Sequence, residues 1–116
     1  MENDYLIWIT LGTTGLIFWI GGLYFEKYPP QKINWWYGYR TKRSMRNLEV
    51  WTFAQAHAAK AMQKMGLRIL LMGGVLGFFN FGEAVQLTII LLITTIYPFW
   101  MIFSIEKVLK QKFPDQ

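Results

Sequence analysis

The distribution of hydrophobic residues divides the chain into three long apolar stretches separated by polar segments. The first stretch, about residues 5–25, carries no charge and is long enough to cross the roughly 30 Å hydrocarbon core of a bilayer. The second and third stretches, about residues 67–82 and 85–105, are separated only by a brief polar turn. The pattern predicts an all-α integral membrane protein, a single membrane domain of residues 1–116 with three transmembrane helices.

A segment of about residues 26–66 separates the first predicted span from the second. Pro29 and Pro30 are expected to end the first helix, because proline cannot continue a helical hydrogen-bond ladder. The loop that follows is rich in aromatic and basic side chains. Ser44 or Asn47 is the expected N-cap of the next helix, since both side chains can accept hydrogen bonds from free backbone N–H groups.

That next helix is predicted over about residues 47–65 and is amphipathic. The sequence leaves open whether it lies flat on the membrane or continues straight into the second span. Its apolar side holds Leu48, Trp51, Ala54 or Gln55, Ala58, Met62 and Met65, and its other side holds His57, Lys60, Lys64 and Arg68.

The first stretch has the length of a transmembrane helix but also lies where a signal peptide would be. Its flank contains Glu2 and Asp4, where a signal peptide carries cations, and no small-x-small cleavage site follows it. We therefore expect a retained helix. Four glycines within it permit the close approach of a neighbouring helix, namely Gly12, Gly15, Gly21 and Gly22.

Gly73 and Gly77 form a G-x-x-x-G pattern in the second stretch. This spacing is typical of helices that pack closely in lipid, either in a dimer or within one chain. We favour packing against the other two predicted helices.

The composition and the placement of charge support a membrane location. Hydrophobic residues make up 53% of the chain and charged residues only 16%, so membrane lipids are the expected surroundings. The net charge of +5 does not indicate nucleic-acid binding, because all cations lie in the loop, the amphipathic helix up to Arg68, or the C-terminal tail. By the positive-inside rule, the N-terminus is predicted outside and the C-terminus in the cytoplasm.

Residue types that carry catalysis or bind metals are scarce. The chain has no cysteine and a single histidine, His57, and it has no glycine-rich phosphate loop. Arg68 is expected to extend back to the basic side, which leaves no charge deep in a span. We expect no enzyme activity, no metal site and no cofactor.

An ordered set of loop residues resembles one family of bacterial membrane proteins. The set resembles the SdpI-like family, the sporulation-delay toxin immunity proteins, in a shorter form than its best-known member. The residues that carry the resemblance are Pro29, Pro30, Asn34, Gly38, Tyr39, Arg40, Thr41, Ser44, Met45, Asn47, Trp51, Ala56 and His57.

The resemblance implies a multi-pass protein of the bacterial inner membrane with a role in immunity or signalling. The best-known member protects its producer from a secreted toxin and also holds a cytosolic repressor at the membrane. A toxin peptide, a cytosolic regulator or a membrane complex is therefore the expected protein partner. The alternative is a structural accessory subunit of a larger membrane complex, for which the glycines of the spans are suited.

Arg40 has three interpretations within the loop. Its guanidinium suits a carboxylate or a phosphate, and Glu26 and Glu106 at the ends of two spans are candidate ion-pair partners. A structural ion pair with one of them is the first interpretation. The second is a small pocket for a phosphate or for an acidic group of a partner, and the third is contact with lipid headgroups alone.

Overall fold

The computed structural model describes residues 5–114, which form three α-helices and contain no strand. Helix α1 is Leu6–Lys27, α2 is Leu48–Leu76 and α3 is Glu83–Lys112. The all-α prediction is confirmed. Glu2 and Asp4, which contribute to the predictions about the first span and about orientation, lie outside the described residues.

Two of these helices, α1 and α3, are long and apolar enough to cross a membrane. Helix α1 agrees with the first predicted span. Helix α3 extends past the predicted end at residue 105, because Ile105 and Leu109 are both buried in a core with the other helices.

Helix α2 unites the predicted amphipathic helix and the predicted second span in one continuous helix. It begins after Asn47, whose side-chain oxygen accepts the backbone N–H of Val50 at 2.9 Å, so Asn47 rather than Ser44 is the N-cap. It ends at Leu76, earlier than the predicted residue 82. Lys60, Lys64 and Arg68 interrupt its apolar character, so it does not have the composition of α1 and α3.

Helices α1 and α2 lie antiparallel and touch through their backbones. A β-carbon built on Gly15 would lie 2.8 Å from the carbonyl oxygen of Gly66, and one built on Gly22 would lie 3.0 Å from that of Ala59. A β-carbon on Gly66 would overlap the backbone of Trp19. Glycine is therefore required where the two helices cross, as in other close helix pairs.

The G-x-x-x-G pair continues this contact towards the other end of α1. A β-carbon on Gly73 would lie 2.8 Å from that of Leu11, and one on Gly77 would overlap the indole of Trp8. Both glycines thus lie against α1, one of the two helices against which we expected them to pack.

Helix α3 packs along one side of the α1–α2 pair and leaves its opposite side exposed. Leu91, Phe99 and Phe103 are each more than 60% exposed on that side. Two buried clusters hold the bundle together. The first is Phe25, Val50, Ala54, Ala58, Ala59, Ile105 and Leu109, and the second is Ile7, Leu11, Met65 and Ile69.

Candidate functional site

The loop between α1 and α2, residues 28–47, has no helix or strand, yet side chains bond much of its backbone. Asn34 forms the first turn. Its Oδ1 accepts the backbone N–H groups of Trp36 at 3.0 Å and Tyr37 at 2.7 Å, and its Nδ2 donates to the carbonyl of Lys32 at 2.9 Å. This is the local bonding by which asparagine replaces a backbone ladder in a turn.

Gln55 on α2 bonds the backbone of Tyr39 in both directions. Its Oε1 accepts the Tyr39 N–H at 2.7 Å, and its Nε2 donates to the Tyr39 carbonyl at 2.8 Å. Gln55 is only 1% exposed, so these bonds are shielded from water. Because both the oxygen and the nitrogen of this buried amide are paired, Gln55 fixes the distance between the loop backbone and α2.

Gly38 permits this contact for two reasons. Its φ of 108° lies in the region that side-chain-bearing residues rarely adopt. A β-carbon at this position would also lie 2.6 Å from Oε1 of Gln55 and 2.6 Å from Cγ of Pro30. Any larger residue would push the loop away from α2.

Trp51 joins the start of the loop to α2. Its fully buried indole donates from Nε1 to the carbonyl of Pro30 at 2.8 Å. The indole therefore supplies both apolar packing and a partner for a carbonyl that the loop leaves without a ladder bond.

Ser44 and Thr41 close the second half of the loop on itself. The Ser44 hydroxyl accepts the Thr41 N–H at 2.8 Å, and the Thr41 hydroxyl accepts the Ser44 N–H at 3.1 Å. Ser44 also donates to the carbonyl of Tyr39 at 3.0 Å and is completely buried. The predicted motif residues Asn34, Tyr39, Thr41, Ser44 and Trp51 thus belong to one hydrogen-bonded loop.

Glu106 on α3 connects this loop to the third helix. Its Oε2 accepts the hydroxyls of Tyr39 at 2.6 Å and Thr41 at 2.8 Å, and its Oε1 lies 3.4 Å from Nε of Arg43. Burial raises the pKa of Tyr39, and the neighbouring Glu106 carboxylate raises it further. Tyr39 therefore remains a hydrogen-bond donor to Glu106 at any physiological pH.

The structure corrects the predicted pairing of Arg40 with Glu26 or Glu106. Glu106 forms an ion pair with Arg43, and Glu26 lies 2.6 Å from the ammonium of Lys60 on α2. Arg40 is exposed and donates to the carbonyl of Trp35. Arg43, three residues further on, pairs with Glu106 instead of Arg40, because the turn formed by Thr41 and Ser44 lies between the two arginines.

Residues around Arg40 form an exposed patch, which we call the Trp–Arg patch and define as Trp35, Trp36 and Arg40. The two indoles are 78% and 80% exposed. An arginine beside two solvent-facing tryptophans can form both charged hydrogen bonds and apolar contacts with another molecule.

Comparison with known proteins identifies the family of this chain. The model of the SdpI/YfhL protein family matches residues 31–104, well over half of the chain. The chain belongs to this family.

A curated relative within the SdpI/YfhL family is the uncharacterized protein YfhL of Bacillus subtilis (strain 168). It is 43% identical over 58 residues, which cover 50% of this chain and 53% of YfhL. The chain therefore spans about half the length of the curated relative that it matches. No solved structure matches the chain.

The region matched by the SdpI/YfhL family contains two residues whose roles the sequence interpretation missed. The sequence places Gln55 only as an alternative to Ala54 on the apolar side of α2, and the motif contains Arg40 rather than Arg43. A glutamine among apolar residues at helical spacing is the available signal for Gln55, because a buried amide needs partners. No sequence signal indicates a structural role for Arg43.

His57 does not belong to a group of metal-ligating side chains within the part of the chain that the structure describes. Among residues 5–114, no group of three or more histidine, cysteine, aspartate or glutamate side chains could hold a metal ion. His57 packs against Phe53 with ring centroids 5.6 Å apart. Burial lowers the pKa of His57, and the positive charge of Lys64 lowers it further, so the imidazole is neutral at neutral pH.

Proposed function

We propose that this chain is a small bacterial inner-membrane protein that acts in immunity or signalling against membrane-active peptides. In this proposal the α1–α2 loop faces the cytoplasm and binds a protein partner through the Trp–Arg patch. Membership of the SdpI/YfhL family supports the proposal, together with the immunity role that the resemblance implies.

The proposed membrane arrangement has three spans with the N-terminus outside. Helices α1 and α3 have the required length and composition. Helix α2 lies antiparallel along most of α1, from Gly22 to Trp8, which supports a further crossing by α2 beside α1. All lysines and arginines except Lys64 and Arg68 lie in the loop, beside its end of the bundle, or in the C-terminal part of α3, and this distribution supports a cytoplasmic loop and a cytoplasmic C-terminus.

The observation that carries the proposal is the contrast between Arg40 and the rest of the motif. Asn34, Tyr39, Thr41 and Ser44 all bond groups inside the protein. Arg40 has five N–H donors, bonds one loop carbonyl and remains exposed beside Trp35. A loop held in one shape that presents an arginine and two indoles suits a partner with an acidic and an apolar surface.

The substitution Arg40→Ala tests this proposal. We expect the variant to accumulate and melt like wild type, because the side chain is exposed, but to lose a partner that wild type retains in mild detergent. Loss of a charged hydrogen bond at an interface costs about 1.5–3 kcal/mol, or roughly tenfold or more in affinity. The measurement is a pull-down of tagged, full-length protein quantified by mass spectrometry.

Lys32→Ala is the matched control for this pull-down, since Lys32 is an exposed cation of the same loop. The control is expected to retain the partner. Equal retention of the partner by Arg40→Ala would contradict docking through the Trp–Arg patch. Failure of Arg40→Ala to accumulate would show that Arg40 stabilises the fold instead.

A second candidate function is that of an accessory subunit in a larger membrane complex. The exposed side of α3, with Leu91, Phe99 and Phe103, favours this alternative, since another membrane helix can pack there. Native mass spectrometry from mild detergent discriminates the two. A lone monomer that still confers resistance to membrane-active peptides would exclude the accessory role.

A further inference from the structure

A groove with a cationic lining lies between α2 and α3, away from the α1–α2 loop. Its volume is about 370 Å³. Helix α2 contributes His57 and the cations Lys60, Lys64 and Arg68, and α3 contributes Tyr97 and Trp100. No carboxylate lines the groove, so it suits an anion.

Two of the three cations in the groove have no acidic partner among the described residues. Lys60 lies 2.6 Å from Glu26 and is neutralised by it. Lys64 makes no ion pair, and Arg68 donates to the hydroxyl of Tyr97 at 3.3 Å. Lys64 and Arg68 are one turn apart on the same side of α2, so both can bind one anionic group.

These cations lie deeper than the sequence indicated. Gly66, between Lys64 and Arg68, contacts α1 at Gly15 and Trp19, which lie near the middle of α1. Where α1 crosses the bilayer, as in the proposed arrangement, Lys64 and Arg68 are at the level of the hydrocarbon core. In that arrangement α2 carries deep charges, contrary to the expectation that no span does, and charges at that depth require a partner.

An apolar groove lies next to the cationic one. It has a volume of about 450 Å³ and is lined by Met72, Leu92, Ile93, Ile96, Tyr97 and Trp100. Tyr97 and Trp100 line both grooves, so the two are adjacent along α3. From Trp100 to Leu92 the helix rises about 12 Å, which accommodates much of an acyl chain.

We propose that the cationic groove and the adjacent apolar groove together bind one anionic phospholipid. Its phosphate lies between Lys64 and Arg68, with the Tyr97 hydroxyl beside it, and its acyl chain runs along Ile93 and Ile96. This site is separate from the Trp–Arg patch, and it rests on the membrane placement proposed above but not on the immunity role. A lipid matches both grooves, whereas a free phosphate matches only the cationic one.

The test is native mass spectrometry of the full-length protein in detergent, titrated with phosphatidylglycerol or phosphatidylcholine of the same chain length. We expect wild type to retain phosphatidylglycerol about tenfold or more in preference to phosphatidylcholine. Both lipids carry the phosphate, but the quaternary ammonium of phosphatidylcholine cancels its negative charge and is repelled by Lys64 and Arg68. The double variant Lys64→Gln/Arg68→Gln is expected to lose this preference. The matched control Lys107→Gln/Lys110→Gln removes two exposed cations of α3 outside the groove and is expected to keep it.

A second variant keeps the proposal falsifiable if the double variant does not fold. Ile96→Trp fills the apolar groove from an exposed position and leaves every cation in place. We expect it to reduce phosphatidylglycerol retention by a similar factor. Unchanged retention by either folded variant would overturn the site.

Two competitors identify other occupants. Inorganic phosphate that displaces phosphatidylglycerol at equal concentration would show an anion site rather than a lipid site. Displacement by an apolar peptide with a free carboxylate, together with no preference between the two lipids, would show a peptide site. Either result would overturn the lipid proposal without affecting the test of Arg40.

Discussion

Replacing Gly66 with alanine is expected to destabilise the bundle by about 1–3 kcal/mol or more, the usual cost of overpacking a tight contact. The added β-carbon would overlap the backbone of Trp19 and lie 2.6 Å from the carbonyl oxygen of Gly15. Backbone atoms of a helix cannot move aside as a flexible side chain can. Helices α1 and α2 would have to separate along the contact that also includes Gly22 and Gly73.

Gly74→Ala is the matched control for this effect, because no atom lies within 4 Å of a β-carbon at Gly74 on the same helix. It is expected to be neutral or to stabilise α2 by up to about 1 kcal/mol, since alanine is the better helix former. The measurement is thermal unfolding of the purified proteins in detergent, followed by circular dichroism. Equal melting temperatures for the two variants would contradict the close crossing of α1 and α2.

The second large effect is expected for Gln55→Leu. Leucine fills a similar volume but leaves the backbone N–H of Tyr39 without its acceptor at 2.7 Å. An unpaired buried donor costs about 1–3 kcal/mol. The Tyr39 carbonyl still accepts the hydroxyl of Ser44, so only the Tyr39 N–H is left without a partner. We expect the loop to detach locally from α2 while the three helices remain.

Limited trypsin digestion measures this detachment, because Arg40, Lys42 and Arg43 are cleavage sites within the loop. Cleavage at these sites is expected to be about tenfold or more faster in Gln55→Leu than in wild type, in proportion to the local loss of free energy. Gln31→Leu makes the same replacement at an exposed position of the loop and is expected to be cleaved like wild type. Similar cleavage of both variants would show that Gln55 does not hold the loop.

The helices could be predicted from the sequence because their signals are local. An uncharged run of the right length predicts α1, and Asn47 before an amphipathic run predicts the start of α2. The continuity of α2 could not be predicted, because it depends on packing against α1 along Gly66 and Gly73. The same packing determines which part of α1 lies beside Lys64 and Arg68, and hydropathy alone does not indicate this.

The sequence predicted which residues belong to the candidate site but not which of them contact one another. Gly38, Asn34 and Ser44 are residue types that form irregular loops, so their presence in the motif was informative. Which cation meets Glu106 depends on the turn between Thr41 and Ser44, which reverses the chain between Arg40 and Arg43. Choosing between two cations three residues apart requires three-dimensional structure.

Side chains order the α1–α2 loop even though it lacks a helix or strand. Hydrogen exchange of the full-length protein in lipid nanodiscs, resolved by residue, tests this ordering most directly. We predict slowed exchange at the backbone N–H groups of Tyr37, Tyr39 and Thr41, which bond Asn34, Gln55 and Ser44. Exchange of these three amides at the rate of an unfolded chain, with the helices still protected, would contradict the account.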